Sequence, residues 1–301
     1  MQNHNLITTL WKKRSIATAM ASLALSLPAI AGSTYSIERL NIESDADLKL
    51  YVIDCGTIQA RNLKLFNPLE EKERTMDLAV PCYLIKHPSK GTLVWDAGLE
   101  DGISKDPEGQ LAGNGAFHLK VDKTMLSQLQ ELGIEPEDVT YFAPSHLHMD
   151  HSGNANYFEK STLLMQKVEY DVAFSEQAAN YGFNPTYYSK LEKESYLGLN
   201  GDHDVFGDDS VIILSTPGHT PGHQSLLVKL KNTGTILLSG DLYHYQGNRD
   251  TYGIPVWNEK KATISSFARV DNILDNTPTK LWIQHDPAHA KGMRMSPNYY
   301  D

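Results

Sequence analysis

The chain has 301 residues, 21% of them charged and 41% hydrophobic, with a formal net charge of −10. That balance belongs to a globular protein with room for one large domain, and it excludes a disordered chain. The first 31 residues hold Lys12, Lys13 and Arg14 and no acid, so without them the charge moves from −10 to −13, a surface that repels nucleic acid and anionic lipid.

Taken from the start, Lys12-Lys13-Arg14, a short apolar run over 15–27 and Ala29-Ile30-Ala31 form the charged, apolar and small-residue parts of a secretory signal. The run is too short for a comfortable membrane span. We expect a signal peptide over 1–31 and one catalytic domain over 32–301. The mature chain then begins near Gly32, in a periplasm or outside the cell, with no stable membrane insertion after cleavage. Residues 48–54 read as a strand ending at Gly56, and 57–79 as charged and irregular. Strands over 81–86 and 92–96 flank the turn Pro88-Ser89-Lys90-Gly91 and make a hairpin. Cys55 and Cys82 lie in apolar runs. An oxidising compartment permits a bridge between them, but the runs favour two buried free thiols.

Residues 99–118 are rich in Gly, Asp and Asn and read as a loop. Asp122 is placed to cap a helix carrying Met125, Leu126, Leu129 and Leu132 on one face, with Gly133 ending it. A strand over 139–143 then delivers His146-Leu-His-Met-Asp-His151. In an extended segment His146 and His148 face the same way, whereas on a helix they diverge. Ser152-Gly153-Asn154 supplies the turn that brings Asp150 and His151 round. Imidazole and carboxylate suit zinc or a similar divalent ion. Six residues do not easily wrap four such side chains around one ion, so two adjacent ions are expected.

Further on, 162–166 reads as a strand and 167–180 as a helix. Strands over 211–215, 225–230 and 235–239 follow, the last two joined by Lys231-Asn232-Thr233-Gly234. Residues 243–257 are aromatic and irregular, 262–274 reads as a helix and 281–284 as a short strand. Asp96, His219, Asp241 and His285 each stand directly after one of these strands, where rigid scaffolds present chemistry. The pattern suggests a sandwich of two sheets with helices outside and a site along one edge.

His146-x-His148-x-Asp150-His151, then His219, Asp241 and His285, resembles the metallo-β-lactamase superfamily over about 48–290. The resemblance implies an α+β fold, an αββα sandwich of two mixed β-sheets, with two divalent metal ions, zinc expected, on one edge. It implies that His146, His148 and His219 hold one ion, that Asp150, His151 and His285 hold the other, and that Asp241 bridges them. Asp96 is similar to the superfamily's structural aspartate. Ser145-His-Leu-His-Met-Asp-His-Ser-Gly153 and Thr216-Pro-Gly-His-Thr-Pro-Gly-His-Gln-Ser225 are similar to the N-acyl-homoserine lactonases, the quorum-quenching enzymes.

That likeness implies a hydrolase in which a hydroxide between two metals attacks the lactone carbonyl, with Asp150 passing a proton to the leaving alkoxide. Best-known members carry a tyrosine three positions after the bridging aspartate. Here His244 stands there, between Tyr243 and Tyr245, so either Tyr243 or His244 is the candidate to hydrogen-bond the small-molecule lactone. Leu65, Phe66, Met149, Trp257 and the aromatic residues of 181–188 are candidates for an acyl groove or for core packing. His223 reads as a supporting or packing histidine. His87, His118, His203 and His289 read as surface or structural. The rival enzymes are a thioesterase like glyoxalase II, disfavoured by export, and a β-lactamase, disfavoured by Asp241. A zinc-binding module without catalysis is disfavoured by the full ligand set. The sequence leaves a homodimer open.

Overall fold

In the chain's computed structural model, residues 32–70, 72–192 and 196–301 are described, and the expected signal peptide lies outside them. Thirteen strands follow in chain order among these residues. They are β1 (Lys49–Ala60), β2 (Met76–His87), β3 (Gly91–Trp95), β4 (Gln110–Ala112), β5 (Phe117–Lys120), β6 (Tyr141–Ala143), β7 (Thr162–Gln166), β8 (Tyr196–Leu199), β9 (His203–Asp204), β10 (Val211–Ser215), β11 (Gln224–Leu230), β12 (Gly234–Leu238) and β13 (Lys280–Trp282). The helices are α1 (Ile37–Leu40), α2 (Met125–Glu131), α3 (Met149–Ser152), α4 (Lys167–Ala173), α5 (Gln246–Thr251), α6 (Lys260–Asn276) and α7 (Pro287–Gly292).

The strands form two mixed sheets, ordered β4-β5-β1-β2-β3-β6-β7-β8 and β13-β12-β11-β10-β9. Alternation along the strands sends one side-chain set of each sheet inward. Leu50, Val52, Tyr83 and Trp95 of the larger sheet meet Ile213, Leu226, Val228 and Ile236 of the smaller in one buried layer. On the smaller sheet's outer face α6 buries Phe267, Val270 and Ile273, at helical spacing, against Ile212, Leu214 and Leu237. The expected two-sheet sandwich of the α+β class is therefore present.

Strand direction decides where the site lies. β3 and β6 run parallel, as do β12 and β13. β10 is antiparallel to β11, which is antiparallel to β12, so β10 points the same way as β12. The residues following β3 and β6 thus emerge together, and so do those following β10, β12 and β13.

Several boundaries correct the sequence reading. The 57–79 stretch is partly strand, because β1 continues to Ala60 and β2 begins at Met76. The 99–118 loop contains β4 and the start of β5, held at the sheet edge by main-chain pairing that needs no apolar alternation. Thr124, not Asp122, caps α2, its side chain accepting from Ser127 N–H. The helix expected over 167–180 ends at Ala173, and 243–257 contains α5. Cys55 and Cys82 are not free thiols. Pairing of β1 with β2 brings their Cα atoms to 6.0 Å, and they form a disulfide. Among the described residues no helix is long and apolar enough to cross a membrane.

Candidate metal centre

The loop after β6 runs without helix to His148, itself extended, and then enters α3; His146 and His148 bring their ring nitrogens together while Asp150 and His151 come from the helical turn. The structure brings together all seven expected ligand residues, in two groups. His146, His148, His219 and Asp241 form one; Asp150, His151 and His285 form the other. In the first, His146 Nε2 lies 2.9 Å from His148 Nδ1 and 3.1 Å from His219 Nε2. In the second, His151 Nε2 and His285 Nε2 are 3.3 Å apart, and Asp150 Oδ2 lies 3.6 Å from His285 Nε2. Asp241 faces both. Its Oδ2 is 3.2 Å from His219 Nε2, and its Oδ1 is 2.9 Å from His285 Nε2 and 3.2 Å from His151 Nε2.

The outer ring nitrogens fix what the inner ones can do. His148 Nε2–H donates to Tyr181 O at 2.8 Å, His285 Nδ1–H to Ala79 O at 2.6 Å, His219 Nδ1–H to Asn258 Oδ1 at 3.1 Å and His151 Nδ1–H to Asp96 Oδ2 at 3.0 Å. In its neutral form each ring then turns a bare lone pair inward. Asp241 Oδ1 is buried with no hydrogen-bond donor. Converging lone pairs and an undonated carboxylate oxygen repel one another unless a cation lies among them, so the residues present fit divalent metal ions.

Electrostatics agree for the first group. Burial holds His146 well below the usual imidazole range and takes His148 down to about 3, helped by neighbouring imidazoles, so both are neutral. Burial resists charge on His151 too, but Asp241, Asp96 and Asp150 outweigh it and hold its pKa well above the ordinary value. Burial likewise opposes charge on Asp241, but the imidazoles of His244, His151 and His285 keep its carboxyl well below the usual range.

Support comes from residues that contact several loops at once. Asp96, at φ 62 where a non-glycine is strained, accepts from Ser145 N–H at 2.6 Å and from Gln284 Nε2 at 3.2 Å besides holding His151. His223 is a support, as expected: its Nδ1–H donates to Thr216 O, and its Nε2 accepts from Asp241 N–H at 2.9 Å. Gly240, at φ 53, permits this turn; a Cβ there would lie 2.7 Å from His223 Nε2.

The groups form the floor of a cavity of about 530 Å³. Ile58, Phe66, Leu78, Phe117, Met149 and Trp257 supply apolar wall, and His244 lines it beside the floor with Nε2 3.0 Å from Asp241 Oδ2. Of the expected groove residues, Phe66, Met149, Trp257 and Tyr181 line it; Leu65 packs against the core and Phe183 and Tyr188 lie within it. Tyr243 is corrected outright. It is fully buried on the far side, stacked on Phe267 of α6 at 4.8 Å, because the backbone becomes extended at Tyr243 and successive side chains there point to opposite sides. Sequence reasoning missed Asn258 and Gln284, whose only signal was adjacency to Trp257 and His285. It also missed Ile58, Leu78 and Phe117, which carried no signal.

Residues 75–256 match the profile of the Metallo-beta-lactamase superfamily. The chain belongs to the metallo-beta-lactamase superfamily. Among its relatives is the N-acyl homoserine lactonase AttM of Rhizobium johnstonii, 30% identical over 272 residues that cover 84% of this chain and 99% of the relative. The N-acyl homoserine lactonase AiiA of Bacillus thuringiensis subsp. kurstaki is 27% identical, covering 83% of this chain and 98% of the relative. A solved structure, an N-acyl homoserine lactone hydrolase with the product N-hexanoyl-L-homoserine bound at its catalytic metal centre, superposes with a TM-score of 0.73. It is 26% identical and covers 86% of this chain and all of its own.

Proposed function

We propose that this chain is a metal-dependent hydrolase that opens the lactone ring of N-acyl-homoserine lactones. The single observation that carries the reading is Asp241, whose two oxygens face two ligand groups at the floor of an apolar cavity. His146, His148 and His219 would hold one ion and Asp150, His151 and His285 the other, with Asp241 shared. Zinc suits five imidazoles and two carboxylates. When bound, such a pair supplies Lewis acidity and an activated water at neutral pH.

The chain's own residues do the rest. Net reaction adds OH to the lactone carbonyl carbon and H to the ring oxygen as the bond between them breaks. Asp150, mostly buried but lining the cavity beside the second group, is positioned to carry that proton on Oδ2 to the departing oxygen. His244 faces the same space and is the residue we assign to hydrogen-bond the substrate. The walls of Phe66, Phe117, Met149 and Trp257 take the acyl chain and exclude water from it. We also propose that the protein is exported, on the strength of Lys12-Lys13-Arg14 and Ala29-Ile30-Ala31; sequencing the exported protein should find Gly32 first.

The test is acid release from short- and long-acyl homoserine lactones by the zinc-loaded chain. Long acyl chains should show the lower KM, and Trp257→Ala should raise KM for them with little change for short ones. Absence of ring opening by protein carrying its metals would sink the lactonase reading.

A further inference from the structure

Beneath the first ligand group lies a carboxylate that the proposed reaction does not use. Glu169 sits in the first turn of α4 and is fully buried, with no ion pair among the described residues. Its Oε1 accepts from Thr220 Oγ–H at 2.8 Å and its Oε2 from Gly222 N–H at 2.7 Å. The backbone N–H of Leu147 faces the same carboxylate and favours its charge. Leu147 lies between His146 and His148, and Thr220 follows His219. One carboxylate therefore joins the two segments that deliver all three imidazoles of the first group. Gly222 shows how close the fit is: a Cβ there would stand 2.5 Å from Glu169 Cβ and 2.8 Å from its backbone nitrogen.

We propose that Glu169 is a positioning residue for the first metal site, setting the spacing between His148 and His219 through hydrogen bonds to the backbone and hydroxyl groups beside them. The inference rests on the metal reading above. Without the shared acceptor, Gly222 N–H and the Thr220 hydroxyl lose their partner, and the turn over 219–222 is no longer fixed against the carboxylate that Leu147 N–H also faces. Imidazoles held at 2.9 Å across that junction then separate, and the site they form binds its ion less tightly. The second group, tied instead through Asp96 and Ala79, is untouched.

The experiment loads the full chain with cobalt(II) and reads stoichiometry, affinity and the visible spectrum for the parent, Glu169→Leu and Glu169→Gln. Glu169→Leu should weaken one of the two cobalt ions about 10-fold or more and alter its absorption bands, leaving the other ion in place. Glu169→Gln keeps the shape and an acceptor oxygen, so it should restore both. A role in folding alone would lower the melting temperature without changing one ion's spectrum. Should Glu169→Leu not fold, Thr220→Val removes the Oε1 contact only and should give the same change in smaller measure. Unchanged affinity and spectrum in the folded variant would overturn the proposal, whereas a parent chain that bound no cobalt would overturn the metal reading with it.

Discussion

Asp241 touches five imidazoles, those of His146, His151, His219, His244 and His285, and its Oδ1 receives no hydrogen bond from any of them. A buried carboxylate so placed needs positive charge on both sides, which is why its role and that of the ligands stand together. His244 is the neighbour whose role is separable. Burial takes its pKa down to about 4 against the pull of Asp241, so it meets substrate as a neutral ring. His244→Phe keeps the ring against Phe66, at 4.7 Å, and removes its nitrogens. It should lower kcat/KM about 10- to 100-fold, roughly 1.4–2.7 kcal/mol of barrier, with both metals retained. Metal analysis beside steady-state kinetics checks this; full activity would remove His244 from the reaction. The seven ligands were legible in the sequence because an i, i+2 spacing and strand-end positions are local properties. The choice between Tyr243 and His244 was not, because it depends on which way the chain turns after Gly240.

At the scale of elements, α4 was legible as a helix, but the burial of its Glu169 was not. A glutamate in a first helical turn reads as a solvated acid complementing the helix dipole, and only the packing of the 219–222 turn over α4 buries it. Burial pushes the Glu169 carboxyl up to about 7, against the pull of its three donors. Because the folded pKa lies above the unfolded one, the folded state binds the proton more tightly. The stability this gives is full below about pH 4.5 and is lost as pH rises through about 7. In metal-stripped protein, the parent should therefore lose about 3 kcal/mol relative to Glu169→Gln between pH 4.5 and 8. Urea midpoints at the two pH values decide it, and parallel pH curves for the two proteins would refute it. The hairpins, by contrast, were readable, since Pro88-Ser89-Lys90-Gly91 and Lys231-Asn232-Thr233-Gly234 are turn sequences between apolar runs. The edge strands β4 and β5 were not, because their pairing is carried by main chain.

Over the whole molecule, the two sheets present their ligand-bearing strand ends along one edge, and the layer between them fixes that alignment. The sandwich could be read from strands in two groups, each with a hairpin. The Cys55–Cys82 bridge could not, since it depends on the register of β1 against β2. It closes a loop spanning 27 positions, for which chain entropy gives about 2–4 kcal/mol of stabilisation. The paired change of Cys55→Ser with Cys82→Ser should lower the denaturation free energy by that amount under oxidising conditions and leave it unchanged once the parent is reduced. Equal stability of oxidised parent and variant would contradict it.

The measurement closest to the central claim is zinc titration of the stripped chain while following acid release from N-decanoyl-homoserine lactone. Activity should rise to a plateau at about two zinc ions per chain, vanish on chelation, and fall at least about 100-fold in Asp241→Asn. Ring opening that survives chelation, or an Asp241→Asn plateau equal to the parent's, would contradict a two-metal centre joined by Asp241.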